Sequence, residues 1–305
     1  MKYLVTGGAG FIGSNLVDEI LQRGHKAVCI DNESAESNSK FYWNEHAHNY
    51  PIDICDHHAL DWVFNYEKPD IVLHTAAEAR IQPTIDSPQL ACNVNFVGTC
   101  NVLQACREHG VTRLVYSSTS SSYGLKNKPP LQEDMMRDCL TPYSVSKAAG
   151  EDLCKVYFNI YGVKTIILRY FNVYGNREPI KGHYAPVIGL FLRLKSEGKP
   201  MTIVGDGTQS RDFTHISDAV SANMIASTTQ NQETFGQVFN IGTGKSYTIL
   251  ELAGMIGGDF EHIEERRGEA KHTLACLKKS KKILGYTPQR NLETYIQEKN
   301  NGSVL

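Results

Sequence analysis

A doubly wound α/β fold on a parallel sheet, with a smaller C-terminal α/β lobe, is what this sequence predicts. Three observations carry that expectation. Short apolar runs of strand type alternate with amphipathic helical runs through the first half of the chain, and the first strand and helix are joined by three glycines, Gly7, Gly10 and Gly13, spaced GxxGxxG. From Asn172 the alternation loosens into stretches rich in Gly, Pro and charge, such as 175–182 and 197–200. Regular alternation places parallel strands side by side with helices on both faces, and the looser part suits a separate lobe.

In order, residues 2–5 read as a buried strand and 11–22 as an amphipathic helix. At the turn between them Gly7 lets the chain reverse, Gly10 lets backbone approach a pyrophosphate, and Gly13 lets helix pack on strand. The helix N-terminus then faces the phosphates with its dipole. Residues 27–30 form a second strand ending at Asp31, a fitting distance from the glycines for a carboxylate that accepts hydrogen bonds from an adenosine ribose. No Lys or Arg occurs from 31 to 39 while Glu33 and Glu36 do, so a 2′-phosphate would meet carboxylates and no cation, which favours NAD over NADP. Strands follow at 71–74, 113–118 and 165–168, and helices at 60–66, 90–109 and 142–161. The tail from 299 to 305 is expected to fray.

Tyr143 and Lys147 stand four residues apart on the helix over 142–161, hence on one face. A free tyrosine has a pKa of about 10, so acting as a base near neutrality requires lowering it by about three units, or about 4 kcal/mol. An ammonium about 4 Å away supplies energy of that order at intermediate dielectric. An ordinary i,i+4 pair on a solvated helix is the plainer account of the same spacing. The strand over 113–118 opens into Thr119-Ser120-Ser121-Ser122-Tyr123-Gly124, at the carboxyl edge where such sheets hold ligands. Hydroxyls there either hold a substrate oxygen or satisfy their own loop backbone.

With these features on one chain, the sequence resembles the extended short-chain dehydrogenase/reductase family, and within it the UDP-hexose 4-epimerases. Beyond the glycines and Tyr143/Lys147, the matching stretches include 74–77, 95–99, 168–175, 205–213, 240–242 and 266–269, in the same order over nearly the whole length. The resemblance implies a Rossmann domain over 1–170, to which 213–241 returns, and a nucleotide-sugar lobe over 171–305. It implies NAD held by Gly7, Gly10, Phe11, Ile12, Gly13, Asp31, Asn32, Asp53, Ile54, Ala76, Asn95, Tyr143, Lys147 and Tyr170. Tyr143 would be the base, Lys147 its electrostatic partner and Thr119 the hydroxyl that orients O4, with Ser121 in support. The C4 hydride would pass to NAD and return to the other face of a turned 4-ketose.

Asn172, Arg211, Arg266 and Glu269 would contact the rest of a UDP-sugar. Arg267 stands where many relatives have proline, which leaves that loop's geometry open. Thr273 would lie beside the turning sugar, where a tyrosine restricts some relatives to glucose and galactose. Threonine, with the segment 182–187, points to UDP-GlcNAc/UDP-GalNAc and also to UDP-Glc/UDP-Gal. Related dehydratases and decarboxylases carry carboxylates after the threonine, where this chain has Ser120 and Ser121. Those activities, another nucleotide-sugar epimerase, a net oxidoreductase and a non-catalytic NAD-binding regulator are the alternatives.

The 305 residues suffice for two lobes with cores of their own, and 31 basic against 33 acidic residues give a net charge of −2. Such a balance offers no polycationic surface for nucleic acid or anionic membrane. No apolar run approaches the ~18 residues of a membrane helix, and the N-terminus reads directly as a strand without a cleavable leader. A cytoplasmic protein is therefore expected, with its eight cysteines as thiols. Histidines 46, 48, 57 and 58 lack a ligand framework and are expected on surface loops, not on a metal. The helices over 90–109 and 142–161 carry apolar residues that pack on the sheet. The resemblance adds a homodimer built on these two helices.

Overall fold

The computed structural model describes residues 1–35, 40–180, 185–265 and 270–302. Within them, strands β1 (Lys2–Thr6), β2 (Lys26–Ile30), β3 (His48–Tyr50), β4 (Ile71–His74), β5 (Arg113–Thr119) and β6 (Thr165–Tyr170) alternate with helices α1 (Phe11–Gln22), α2 (His57–Glu67), α3 (Ile81–Asp86), α4 (Pro88–Cys92), α5 (Thr99–Glu108) and α6 (Pro142–Tyr161). The remainder comprises β7 (Val173–Tyr174), α7 (Val187–Ser196), β8 (Met201–Val204), β9 (Ser210–Asp212), β10 (Thr214–His215) and α8 (Ile216–Thr228). It continues with β11 (Gln237–Ile241), β12 (Ser246–Thr248), α9 (Ile249–Ile256), β13 (Phe260–Ile263) and α10 (Leu292–Asn300).

Seven strands form one parallel sheet in the order β11-β6-β5-β4-β1-β2-β3. Every residue of β4, β5 and β6 is buried, as a parallel sheet covered on both faces requires. The period of two sorts the side chains: Tyr3, Val5, Cys29, Ile166 and Leu168 enter one apolar layer, and Leu4, Val28, Ile30 and Ile167 the other. A third core, around Tyr174, Phe191, Ile203, Leu252 and Ile296, gathers α7, β8, α9 and α10. The chain leaves β1 toward β2 and β3 and crosses to β4 on the other side. The crevice for a ligand therefore opens at the carboxyl ends of β1 and β4.

Helix α6 is set by strong local signals. The Thr141 hydroxyl accepts the Ser144 N–H at 3.2 Å, the Ser144 hydroxyl accepts the Thr141 N–H at 3.0 Å, and Pro142 sits in the first turn. Gly162, at φ 73°, closes its C-terminus.

Three departures from the sequence reading have physical reasons. The helix expected over 90–109 is two α-helices joined by a π-helical turn, Asn93–Gly98, whose last glycine packs on Ile54, 2.6 Å from where a β-carbon would lie. His48, expected in a loop, lies on the edge strand β3, which is too short and polar to give an alternation signal. Its Nδ1 is 2.8 Å from Glu67 Oε1, which also accepts the Tyr50 hydroxyl at 2.6 Å. His57 and His58, also expected in a loop, open α2. Downstream, β11 joins the main sheet beside β6, and α8 packs against α1 and β5.

Candidate active site

A cavity of about 580 Å³ follows the carboxyl edge of the sheet. Its first end is walled by Gly7, Gly10, Phe11, Ile12 and Gly13. A β-carbon on Gly13 would lie 2.0 Å from the Gly7 carbonyl oxygen, and Gly7 itself has φ +66° with Ala76 N 2.8 Å from where its β-carbon would be. Only glycine fits both places, and the wall there is bare backbone at a helix N-terminus, the chemistry a pyrophosphate requires. Asp31 closes β2, accepting the N–H of Ala9 at 3.1 Å and of Glu33 at 2.8 Å. Burial pushes its carboxyl above the usual range, with those N–H groups opposing. The carboxylate has acceptor capacity left for a further donor. Asn32 donates to Asp53 at 3.0 Å beside it, and Ile54 and Ala76 complete this end. Two carboxylates and no Lys or Arg stand here among the described lining residues, which suits a ribose with free hydroxyls.

Thr119, Ser120, Ser121, Tyr143 and Tyr170 wall the middle. Thr119 ends β5, where its Oγ1 accepts the Ser121 N–H and donates to the Ser121 hydroxyl, both at 3.1 Å. Tyr143, in the first turn of α6, stands beside Thr119 on the same wall. The Tyr170 hydroxyl accepts from Asn223 at 2.6 Å and lies 3.1 Å from Ser117 Oγ.

Lys147, one turn after Tyr143, lies behind this wall at 2% exposure, its Nζ 4.3 Å from the centre of the Tyr116 ring. The Tyr116 hydroxyl donates to the Lys147 carbonyl at 3.2 Å. At Gly150 a β-carbon would lie 2.3 Å from that hydroxyl, so α6 can press against β5 only with glycine there. Burial pushes the Tyr143 phenol above its usual value, with the Thr119 side chain opposing and Glu78 adding to the rise. Burial also lowers Lys147 to about 7, against the opposing Cys154 and Glu151. Desolvation disfavours the charged form of each.

Asn95 also departs from its expected place. It lies fully buried in the π-helical turn, behind the cavity wall. Its Oδ1 accepts the Glu78 N–H at 2.8 Å, and its Nδ2 donates to the Glu78 carbonyl and to Ser146 Oγ, both at 3.0 Å. Ser146 in turn donates to the Tyr143 carbonyl at 3.0 Å. Asn95 therefore fastens the loop after β4 to the first turn of α6. Deeper still, Glu151 receives Arg169 at 2.7 Å on each oxygen and the Ser118 hydroxyl at 2.6 Å, which locks α6 to β5 and β6. Burial alone would raise Glu151, but Arg169 holds its carboxyl below the usual value.

At the far end Asn172, held at φ 33°, donates to the Asp212 carbonyl at 2.9 Å and to Thr273 Oγ1 at 3.3 Å. Arg211 donates to the carbonyls of Ser210 and Lys271, both at 3.0 Å. Asn172, Arg211 and Thr273 all line the cavity, as do Ala185, Pro186 and Val187. Arg266, Arg267, Glu269 and positions 182–184 lie outside the described residues.

Sequence reasoning missed Glu78 and Arg80 on the wall after β4, Thr202 and Val204 on β8, and Glu178. Glu178 is buried with no partner for its Oε2 among the described residues, and burial pushes its carboxyl well up. The crevice rule, applied to the residues just after β4, would have flagged Glu78 and Arg80.

Comparison with known proteins agrees with this geometry. The profile of the NAD dependent epimerase/dehydratase family matches residues 3–242. A UDP-glucose 4-epimerase of Mycolicibacterium smegmatis is 32% identical over 299 residues, covering 95% of this chain and 94% of the relative. A UDP-N-acetyl-alpha-D-glucosaminuronate decarboxylase of Bacillus cytotoxicus is 37% identical over 261 residues, covering 83% and 78%. Among solved structures, a UDP-N-acetylglucosamine 4-epimerase from Methanobrevibacter ruminantium, in complex with UDP-N-acetylmuramic acid, superposes with a TM-score of 0.89 at 30% identity, covering 98% of this chain and 97% of that one. By sequence and by fold, this chain belongs to the NAD dependent epimerase/dehydratase family, with NAD as its cofactor.

Proposed function

We propose that the protein interconverts the C4 epimers of a UDP-hexose through a transient 4-ketose, with UDP-GlcNAc/UDP-GalNAc as its pair and UDP-Glc/UDP-Gal also accepted. The observation that carries this reading is the convergence of Thr119 and Tyr143 on one cavity wall, with two serines after Thr119 where carboxylates would be needed for other chemistry.

NAD, held by the glycine turn, Asp31, Asn32 and Asp53, supplies a reversible hydride acceptor when bound. Thr119 and Ser121 orient the C4 oxygen, and Tyr143, as phenolate, takes its proton to become the phenol and later returns it. Lys147, whose proton is exchangeable near neutrality, is the electrostatic partner, and the positive charge of the oxidised cofactor opposes the burial that raises Tyr143. Arg211, with Arg266 beyond the described residues, pairs the diphosphate, since guanidinium suits two-pronged phosphate contacts. Asn172 and Glu269 complete the nucleotide-sugar contacts. The acetamido reading is supported by Thr273, a small side chain on the wall at 6% exposure, and by the resemblance to the N-acetylglucosamine epimerase.

The decarboxylase relative makes loss of CO₂ the rival chemistry. Ser120 and Ser121 count against it, because a hydroxyl has the wrong pKa to take a proton from carbon near neutrality.

The cofactor domain of this reading comprises 1–170 with 213–241, and the sugar lobe the rest of 171–305. A cytoplasmic homodimer fits as well. Its support is the apolar face formed by Phe96, Val97, Val145, Val156 and Ile160, from 39% to 68% exposed, and eight free cysteines. Among the described residues no helix is long and apolar enough to cross a membrane.

Incubation with each UDP-sugar, followed by separation of C4 epimers and mass measurement, tests the proposal. A product of unchanged mass is expected, and loss of water or CO₂ overturns it. Thr273→Tyr should impair the N-acetylated pair selectively. Equal loss on both pairs would refute the role given to Thr273.

A further inference from the structure

His74 has no part in the scheme above, yet both of its ring nitrogens are bonded in the interior between the cofactor wall and the π-helical turn. It closes β4, in parallel register with Thr6 of β1 and Tyr116 of β5. His74, Thr6, Thr99 and Asn95 are each 0% exposed. The Thr99 hydroxyl donates to the Asn95 carbonyl at 2.7 Å, so the imidazole Nε2, 3.0 Å from the same oxygen, is the protonated nitrogen. Nδ1 then accepts the Thr6 hydroxyl at 2.6 Å, whose proton has no other acceptor among the described residues. Burial, with the Lys147 charge adding, lowers the imidazole to about 3, in keeping with a neutral ring.

The bonds therefore run in one direction. The Ala76 N–H donates to Thr6 Oγ1 at 3.2 Å, Thr6 donates to His74, His74 to Thr99 and Thr99 to Asn95. The Asn95 side chain donates in turn to Ser146, and Ser146 to the Tyr143 carbonyl. Donors aligned head to tail polarise and strengthen one another. One end of the chain is the cavity wall at Ala76, packed on Gly7 of the glycine turn, and the other is the first turn of α6. A leucine would fill much of the ring's volume, but it would leave two buried hydroxyls short of a partner and cut the tie between β4 and the π-helical turn.

We propose that His74 is a positioning residue for Tyr143: by joining the wall at the glycine turn to the π-helical turn, it sets where the first turn of α6 holds the phenol. This rests on the 4-epimerase reading for the role of that phenol. His74 is not among the residues that line the cavity, so it acts through the groups it holds.

The test compares His74→Leu, His74→Gln and His74→Asn with the wild type, all loaded with NAD and matched by circular dichroism, in kcat, in KM for the UDP-hexose and in NAD affinity by equilibrium dialysis. The amide of glutamine reaches the place of Nε2 and can donate to Thr99, whereas that of asparagine reaches only the place of Nδ1. His74→Leu and His74→Asn should lower kcat by about 10–100-fold, as a displacement on the order of 1 Å does, with KM and NAD affinity within about twofold. His74→Gln should recover most of kcat. Ultraviolet titration of the phenol, taken as the difference from Tyr143→Phe in each background, should place Tyr143 higher in His74→Leu than in the wild type, because the phenol has moved from the positive charge of the oxidised cofactor. A change in KM or NAD affinity as large as that in kcat, glutamine no better than asparagine, or an unmoved phenol would each overturn the proposal. If His74→Leu does not fold, the glutamine and asparagine variants and their phenol titrations decide. If the wild type epimerises no UDP-hexose, the epimerase reading falls, and the phenol titration still decides the role of His74.

Discussion

Replacing Glu151 by glutamine removes the negative charge that faces Arg169 across the α6–β6 contact. The two side chains are 0% and 2% exposed and joined by two bonds of 2.7 Å. After the change, Arg169 keeps the face of Tyr123, 4.8 Å from the ring centre, and a 3.4 Å bond to the Glu133 carbonyl. Arg137, which also donates to Glu151 Oε2 at 2.9 Å, keeps its pair with Asp152 at 2.6 and 2.9 Å and so leaves Arg169 as the uncompensated charge. An uncompensated buried charge costs about 3–5 kcal/mol, a large share of the ~5–15 kcal/mol that keeps a domain folded.

Urea unfolding should show that loss as a lower midpoint at unchanged slope. Glu151 in the folded state lies below its ordinary value, so its contribution is present above the unfolded carboxyl pKa and is lost as pH falls through the folded one. Glu151→Gln should therefore flatten the acid side of the stability profile. Removing both charges, as Glu151→Leu with Arg169→Met, should recover most of the loss. A single variant within about 1 kcal/mol of wild type, or a double variant as weak as the single, would refute the reasoning.

Two further outcomes follow from the site. Glu78 raises the Tyr143 phenol, so Glu78→Gln should move the acid limb of log kcat/KM to lower pH, and an unmoved limb would show that the two groups do not communicate. Gly13→Ala would push a methyl to within 2.0 Å of the Gly7 carbonyl. It should lower stability by about 1–3 kcal/mol and weaken NAD in equilibrium dialysis, whereas unchanged NAD affinity would contradict the bare-backbone cradle.

Much of this architecture was legible because its signals are local. Residues 11–22 and 142–161 carry complete helical signals, and the apolar runs at 71–74 and 165–168 can be satisfied only in a buried sheet. The edge strand β3 was not legible: it is three residues long, with His48 and Asn49 exposed and Tyr50 alone packed on the core, which leaves no alternating pattern. Nor was the position of Asn95, since a π-helical turn inside an amphipathic helix redirects a side chain without altering the 3.6-residue pattern around it. The burial of Tyr143 and Lys147 was not legible either: spacing shows that they share a helical face, while the depth at which Lys147 lies is set by β5 and the ring of Tyr116. Glu78 gains meaning only from the hydrogen bonds that swing its loop toward α6.

The most direct test of the central claim is the rate at which Tyr143→Phe interconverts C4 epimers when loaded with NAD and saturated with UDP-sugar. Deleting the one group placed to move the O4 proton should slow turnover by about 10²–10⁴-fold while UDP-sugar affinity changes little. Interconversion at the original rate would contradict the account.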